Sequence, residues 1–331
     1  MGMSKPKFSR DILKIQDMET LIDQLCTRIR EDITVRHKRF GAVIGLSGGI
    51  DSSVCMALTA RAIGPEKMLG VMMPEKDSSP ESEELARELA GKFGVKVIKE
   101  VITGALDGFG CYVRRDQAVK DVVPEYDPST HKMKIGIKHE GKGSKLPPLF
   151  HLTVVNPDGS ETVKRLPSLQ MRTIIAASNF KQRSRMSLVY YHGEQLHYAV
   201  IGTPNKHEVA QGFFVKFGDG GGDLFPIGNL YKTQVYQIAE YLGVPKGIID
   251  RTPTTDTYSA EQTQEEFFYE FPHDVMDLLW YAYENDYDPA EVGPVLGMTV
   301  EEIERNYRNF ERRSETTEYL RTPPINDYIF I

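Results

Sequence analysis

The residues Gly45-Leu46-Ser47-Gly48-Gly49-Ile50-Asp51-Ser52-Ser53 decide how the chain is read. The apolar segment Phe40 to Leu46 leads into them. Val54-Cys55-Met56-Ala57-Leu58, then Ala60 and Ala62, lead out. That order spells strand, tight glycine turn, helix. Such a turn aims several backbone N–H groups, and the positive end of a helix dipole, at a point where an anion can sit. Ser47, Ser52 and Ser53 add hydroxyl donors, and Asp51 adds a carboxylate suited to a hard divalent cation. Two glycines alone would say little, because many strand-to-helix loops need glycine for a positive φ. The stretch has neither the G-x-x-x-x-G-K-[ST] nor the G-x-G-x-x-G spacing of the common nucleotide loops.

Working outward, residues 17–37 carry Met18, Leu21, Ile22, Leu25, Ile29 and Ile33 at helical spacing, which predicts an amphipathic helix lying on a sheet. Met68 to Met73 predicts a second strand. A helix follows from Pro80, with Ser79 as N-cap, and stops at Gly94; Val95 to Ile98 is a third strand. Strands alternating with helices of this length predict a parallel sheet of βαβ units. From Val113 to Pro167 the pattern changes. Pro124, Asp127-Pro128, Pro147-Pro148 and Asn156-Pro157-Asp158-Gly159 punctuate alternating runs such as Lys132–Ile137 and Phe150–Val154, which read as hairpins inserted into the α/β core. Leu169 to Tyr191 is expected to be a helix, basic on one side through Arg172, Lys181, Arg183 and Arg185. His197 to Ile201 is another strand. Residues 273–284 and 299–313 read as amphipathic helices, the second opening with a capping box, and Tyr319 to Pro324 as an extended tail. The expectation is one α/β domain over 1–331, with the 113–167 insertion inside it and a helix and tail over 299–331.

Composition sets bounds on this reading. The 331 residues carry a net charge of −7, are 40% hydrophobic and 26% charged, and have ample material for a core. The acidic excess argues against a large nucleic-acid surface. Cys26, Cys55 and Cys111 are far apart and form no C-x-x-C pair, which fits a reducing compartment and no structural zinc. No signal-like segment opens the chain, and no apolar run is long enough to span a bilayer. The expected location is the cytoplasm.

Two further stretches carry chemistry. Gly202-Thr203-Pro204-Asn205-Lys206-His207-Glu208 follows a strand and opens a helix, so it belongs at the same carboxyl edge as the first loop. There Glu208 can share a metal with Asp51, although a first-turn Glu also serves simply to complement the helix dipole. Phe213 to Asp223 sets Gly220-Gly221-Gly222 between Asp219 and Asp223, leaving bare backbone for close approach to a flat ligand.

The loop resembles the pyrophosphate loop of the N-type ATP pyrophosphatases. SGGIDSS, then Asn179 to Met186, then GTPNKHE, then KFGDGGGDLFPIGNLYKTQV, then Arg251-Thr252-Pro253-Thr254-Thr255-Asp256, occur in the order seen in NAD+ synthetases. The resemblance covers most of the chain outside 113–167. It implies a Rossmann-like doubly wound parallel sheet of the adenine nucleotide alpha-hydrolase-like type. It also implies ATP-dependent amidation of deamido-NAD through an acyl-adenylate, with release of AMP and pyrophosphate. No nitrilase-like glutaminase segment precedes the loop, which points to the ammonia-dependent form.

The resemblance further implies that Gly45, Leu46, Ser47, Gly48, Gly49, Ile50, Asp51 and Ser52 hold ATP phosphates. Thr203, Lys232 and Thr254 would also contact ATP, and Asp51 and Glu208 would coordinate Mg2+. Asp51, Lys232 and Glu208 would carry the catalysis, and Arg183, Lys216 and Asp223 would bind deamido-NAD. The implied assembly is a homodimer, with neither nucleic acid nor membrane as a partner. The tail departs from the family: Tyr319-Leu320-Arg321 stands where many bacterial members have a His-Lys pair. Two other readings remain: adenylation and amidation of a different carboxylate, and a nucleotide-binding regulator without turnover. His207 is expected to have a structural or solvent-facing role.

Overall fold

A computed structural model describes residues 5–138, 149–252, 257–260 and 271–325. In chain order the elements are α1 (Met18–Glu31), β1 (Gly41–Gly45), α2 (Ile50–Ile63), β2 (Met68–Met72), α3 (Pro80–Phe93), β3 (Lys96–Lys99), α4 (Thr103–Gly108) and α5 (Cys111–Lys120). Next come β4 (Lys132–Lys138), β5 (Leu149–Val155), β6 (Glu161–Arg165), α6 (Ser168–Leu196) and β7 (Tyr198–Ile201). The rest is helical: α7 (Lys206–Gln211), α8 (Lys232–Leu242), α9 (Lys246–Ile249), α10 (His273–Glu284), α11 (Pro289–Leu296), α12 (Val300–Thr316) and α13 (Glu318–Arg321).

The main sheet has four parallel strands in the order β3-β2-β1-β7. Side chains on each strand alternate between its faces. Ala42, Ile44, Met68, Met72, Ala199 and Ile201 pack on one face with α1, α2 and α8. Val43, Leu69, Val71 and Val200 pack on the other with α4, α5 and α6. Both faces are covered over β1, β2 and β7, so those strands are apolar rather than alternating, whereas the edge strand β3 begins and ends on exposed Lys96 and Lys99. The chain winds from β1 outward to β2 and β3, then returns to place β7 on the far side of β1. That reversal opens a crevice at the carboxyl ends of β1 and β7, where ligands of open α/β sheets bind.

The 113–167 stretch contains the expected antiparallel strands, in the order β4-β5-β6. Its first residues are helical instead, because Ala118 and Val119 continue α5 into the core beneath the small sheet. A fourth cluster holds α10, α11 and α12 against Phe8, Leu13 and Tyr231.

Four local expectations are corrected. The first helix stops at Glu31 and passes into a π-turn over Asp32–Arg36, closed by a His37 N–H to Asp32 carbonyl bond of 2.9 Å. Ser79 occupies the N-cap of α3, but its hydroxyl caps nothing, since the Ser82 amide bonds to the Ser79 carbonyl at 3.2 Å. The tail is helical through Arg321 and extended only afterwards. Finally, the basic residues of α6 do not share a face. Arg183 is exposed, whereas Lys181 is fully buried and donates to Glu75 Oε1 at 2.8 Å, Asp77 Oδ2 at 3.0 Å and the Thr257 carbonyl at 3.0 Å. Two carboxylates and a carbonyl are what a buried ammonium requires.

Candidate active site

A cleft of about 530 Å³ lies over the carboxyl ends of β1, β2 and β7. Gly45, Leu46, Ser47, Gly49, Ile50, Asp51 and Ser52 form its floor. Gly48 lies behind the floor, at φ +73°, and a Cβ there would stand 2.5 Å from the Ser82 carbonyl oxygen. Only glycine fits that backbone and that approach, so the turn and the start of α3 are held together. The serines brace the turn from within. Ser52 Oγ and Ser53 Oγ donate to the Gly49 carbonyl at 3.0 and 2.8 Å, and the Gly49 amide donates to Ser47 Oγ at 3.2 Å.

Thr203, Glu208 and Lys232 line the same cleft, from the β7 side. Asn205 caps α7, accepting from the His207 and Glu208 amides at 3.0 and 3.2 Å, and Glu208 Oε2 accepts the Asn205 amide at 2.9 Å. This capping box fixes Glu208 at the rim. Lys232 is the first residue of α8, is 2% exposed, and makes an ion pair with Asp51 Oδ2. Burial works against its charge, but the Asp51 and Glu208 carboxylates outweigh burial and raise its pKa. Burial, and then the nearby Asp51 charge, push the Glu208 carboxyl up to about 8. Burial and the same two carboxylates raise the thiol of Cys55 well above its ordinary value.

Two carboxylates here share the single ammonium of Lys232, which leaves a net negative charge at the site. Asp51 Oδ1 is buried with no hydrogen-bond partner among the described residues. That orphaned oxygen and this all-oxygen pair fit a hard divalent cation. Among the described residues no cluster of three or more metal-binding side chains exists, so the remaining ligands would be substrate phosphates and water, as is usual for Mg2+.

Behind this pair lies a second tier. Asp277, fully buried on α10, accepts from His207 Nε2 at 2.6 Å and from the Thr233 amide at 2.6 Å. Gln211 Nε2 lies 3.1 Å from His207 Nδ1. His207 is therefore structural, one of the two roles expected for it. Asp277 joins the first turns of α7 and α8, which carry Glu208 and Lys232.

The other expected residues fall elsewhere. Thr254 lies outside the described residues, though the nearby Arg251 and Thr252 line the cleft. Arg183, Lys216 and Asp223 are not among its lining residues. Arg183 Nε donates to the Lys216 carbonyl at 3.3 Å, and Lys216 Nζ donates to the tail carbonyls of Tyr319 and Thr322 at 2.7 and 2.8 Å. Asp223 Oδ2 accepts the Val200 amide at 2.8 Å, stitching the glycine-rich loop to the edge of β7. Sequence reasoning gave no role to Asp219 or Arg185, yet both line the cleft. Asp219 Oδ1 accepts the Val215 amide at 2.7 Å, and burial raises its carboxyl. Gly220 packs so tightly on Phe214 that a Cβ would come within 2.0 Å of the ring. That bareness was the available signal for an ordered loop.

Fold and cleft together define an α/β protein with a glycine-turn cleft at the switch point of its sheet. A family model described as NAD synthase matches residues 21–146 and 159–324, so only 147–158 of the 113–167 stretch falls outside it. The chain belongs to the NAD synthase family. It is 44% identical over 318 residues to an NH(3)-dependent NAD(+) synthetase of Rhizobium meliloti, covering 96% of this chain and 94% of that one. Two solved structures share the fold. One is an NMN synthetase from Francisella tularensis, with TM-score 0.64 and 20% identity over 95% of this chain and 100% of that one. The other is an NH3-dependent NAD synthetase from Campylobacter jejuni, with TM-score 0.61 and 21% identity over 94% of this chain and 99% of that one.

Proposed function

We propose that the protein converts deamido-NAD to NAD+ with ATP and ammonia, through an acyl-adenylate, releasing AMP and pyrophosphate. The observation that carries this reading is the Lys232–Asp51 ion pair beside half-buried Glu208, at the mouth of a phosphate-type turn. A carboxylate is a poor electrophile, and transfer of AMP onto it creates a good leaving group. Charge develops on the phosphates during that transfer. Lys232 and the turn amides stabilise it without rearranging, because burial and bonding already fix them. Asp51 and Glu208 would hold Mg2+, whose role when bound is to neutralise phosphate charge. Ammonia then attacks the acyl carbon and AMP leaves. The serines act as donors, and no nucleophilic serine takes part.

The proposal extends to Arg183, Lys216 and Asp223 as contacts for deamido-NAD and to Thr254 as a contact for ATP. It includes a single α/β domain with the 113–167 insertion, assembly as a homodimer, and action in the cytoplasm. Incubation with ATP, Mg2+, ammonium and deamido-NAD tests it, with AMP and NAD+ expected in equal amounts. AMP without NAD+ would indicate a different carboxylate acceptor, and no AMP with any acceptor a non-catalytic regulator. Sedimentation tests the dimer, and a fully active monomer would remove that part.

A further inference from the structure

Among the described residues, four cationic side chains line the cleft: Lys99, Arg185, Lys232 and Arg251. Three have carboxylate partners. Lys232 pairs with Asp51, Lys99 with Glu83 at 2.7 Å, and Arg251 with Glu81 at 3.7 Å. Arg185 has none within ion-pair distance among the described residues. Its Nε donates to the Met73 carbonyl at 3.3 Å and its Nη1 to Gln182 Oε1 at 3.4 Å, both at the long end of hydrogen bonding. A guanidinium has five N–H donors in a planar fork, and these two weak bonds leave most of them unused. Asp219, which acts on Arg185 from a distance, has one oxygen committed to the Val215 amide.

Position gives this unused capacity a purpose. Gln182, Arg185, Met186 and Val189 form the stripe of α6 that faces the cleft. A Cβ on Gly45 would stand 3.1 Å from Met73 and 3.7 Å from Val189, so Arg185 is anchored beside the entry to the turn, on its β2 side. Glu208 and Lys232 approach from the β7 side. The two cationic groups therefore flank the turn.

We propose that Arg185 receives an oxyanion at the adenylation point, opposite Lys232; this rests on the reaction proposed above. In that step a carboxylate oxygen forms a bond to the α-phosphorus, the bond from that phosphorus to the pyrophosphate oxygen breaks, and pyrophosphate departs with the electron pair. Two anions must meet for this to happen. The fork of Arg185 suits either one, the acceptor carboxylate or the α-phosphate, through paired N–H donors. No proton moves at Arg185.

The test uses Arg185→Gln and Arg185→Lys in the full chain, with thermal unfolding as the check on folding. ATP affinity with Mg2+ is measured by calorimetry without acceptor, and KM for deamido-NAD from AMP release. Arg185→Gln is expected to weaken one of the two about tenfold or more, the scale of a lost charge-assisted pair. Arg185→Lys restores the charge without the fork and is expected to recover only part. Weaker ATP binding would place the contact at the phosphate, and a raised acceptor KM with ATP binding intact would place it at the carboxylate. Both quantities within twofold of the parent, in either variant that folds, would overturn the proposal, as would a lower Tm alone. If the parent binds ATP yet makes no NAD+ from deamido-NAD, the proposed function fails, and the calorimetric arm alone then decides Arg185, with unchanged ATP affinity overturning it.

Discussion

Replacing Lys232 by Met removes the positive charge that joins the two halves of the cleft. Lys232 is 2% exposed and its Asp51 partner 17%. The variant leaves Asp51 and Glu208 facing one another with no cation between them. Breaking a buried pair from one side costs about 3–5 kcal/mol, and the partial exposure of Asp51 points to the lower end, about 3 kcal/mol. With 331 residues the unfolding entropy is about 0.7 kcal/mol/K, so that loss lowers Tm by about 4 °C. Differential scanning calorimetry in EDTA reads this directly. A titration with Mg2+ should then recover more Tm in the variant than in the parent, because the bare carboxylate pair binds a cation more tightly. AMP formation should fall by about 10²–10³, the usual effect of removing one preorganised charge from a transition state. A variant with unchanged Tm in EDTA, the parent's response to Mg2+ and near-normal AMP formation would refute the account of Lys232.

Three further outcomes follow from the same geometry. Gly48→Ala forces a side chain into a left-handed backbone, at about 1–2 kcal/mol, and drives a Cβ to 2.5 Å from the Ser82 oxygen; calorimetry should show ATP binding weakened by tenfold or more, and parent-like binding would mean the turn yields freely. Glu208 has a folded pKa raised from 4.5 to about 8, so the folded state holds its proton more tightly than the unfolded chain. Its stabilising contribution is complete below about pH 4.5 and lost as pH rises towards 8. In EDTA the Tm of the parent relative to Glu208→Gln should therefore fall across that range, and a flat difference would contradict it. Asp277→Asn keeps one carbonyl acceptor for two donors, at about 1–3 kcal/mol; kcat should fall with KM for ATP little changed, and an unaltered kcat would show that Glu208 and Lys232 hold their places without it.

Much of the sheet was legible because its strands are short apolar runs ended by glycine or proline, and both cleft loops follow such runs. The pairing of Asp51 with Lys232 was not legible from spacing, since 181 residues separate them. The resemblance implied separate roles for them, Asp51 at the metal and Lys232 at ATP, and the fold brings the two into contact. The arginines of α6 show where pattern reading stops. Arg183 and Arg185 are two positions apart, about 200° around the helix axis, so one faces the cleft and the other solvent. Composition cannot choose between them; the choice is made by Ser184 and Val189 packing inward. Lys181 misled for a related reason. A lysine in a basic stretch reads as solvated, and its burial depends on Glu75 and Asp77, more than a hundred residues away. Asp219 and Asp223 flank the same three glycines, yet one opens into the cleft and the other secures the loop to the sheet.

The Asp277 bridge bears on how the molecule comes apart. The Thr233 amide gives its hydrogen to a carboxylate on α10, in a core separate from the one under β1. Local fraying of α8 cannot expose that amide unless the C-terminal helices also release it. Its hydrogen-exchange rate should thus track the slowest opening of the whole chain rather than motion of the neighbouring loops. Recognition of ATP and retention of the C-terminal helices would then fail together, as one cooperative unit.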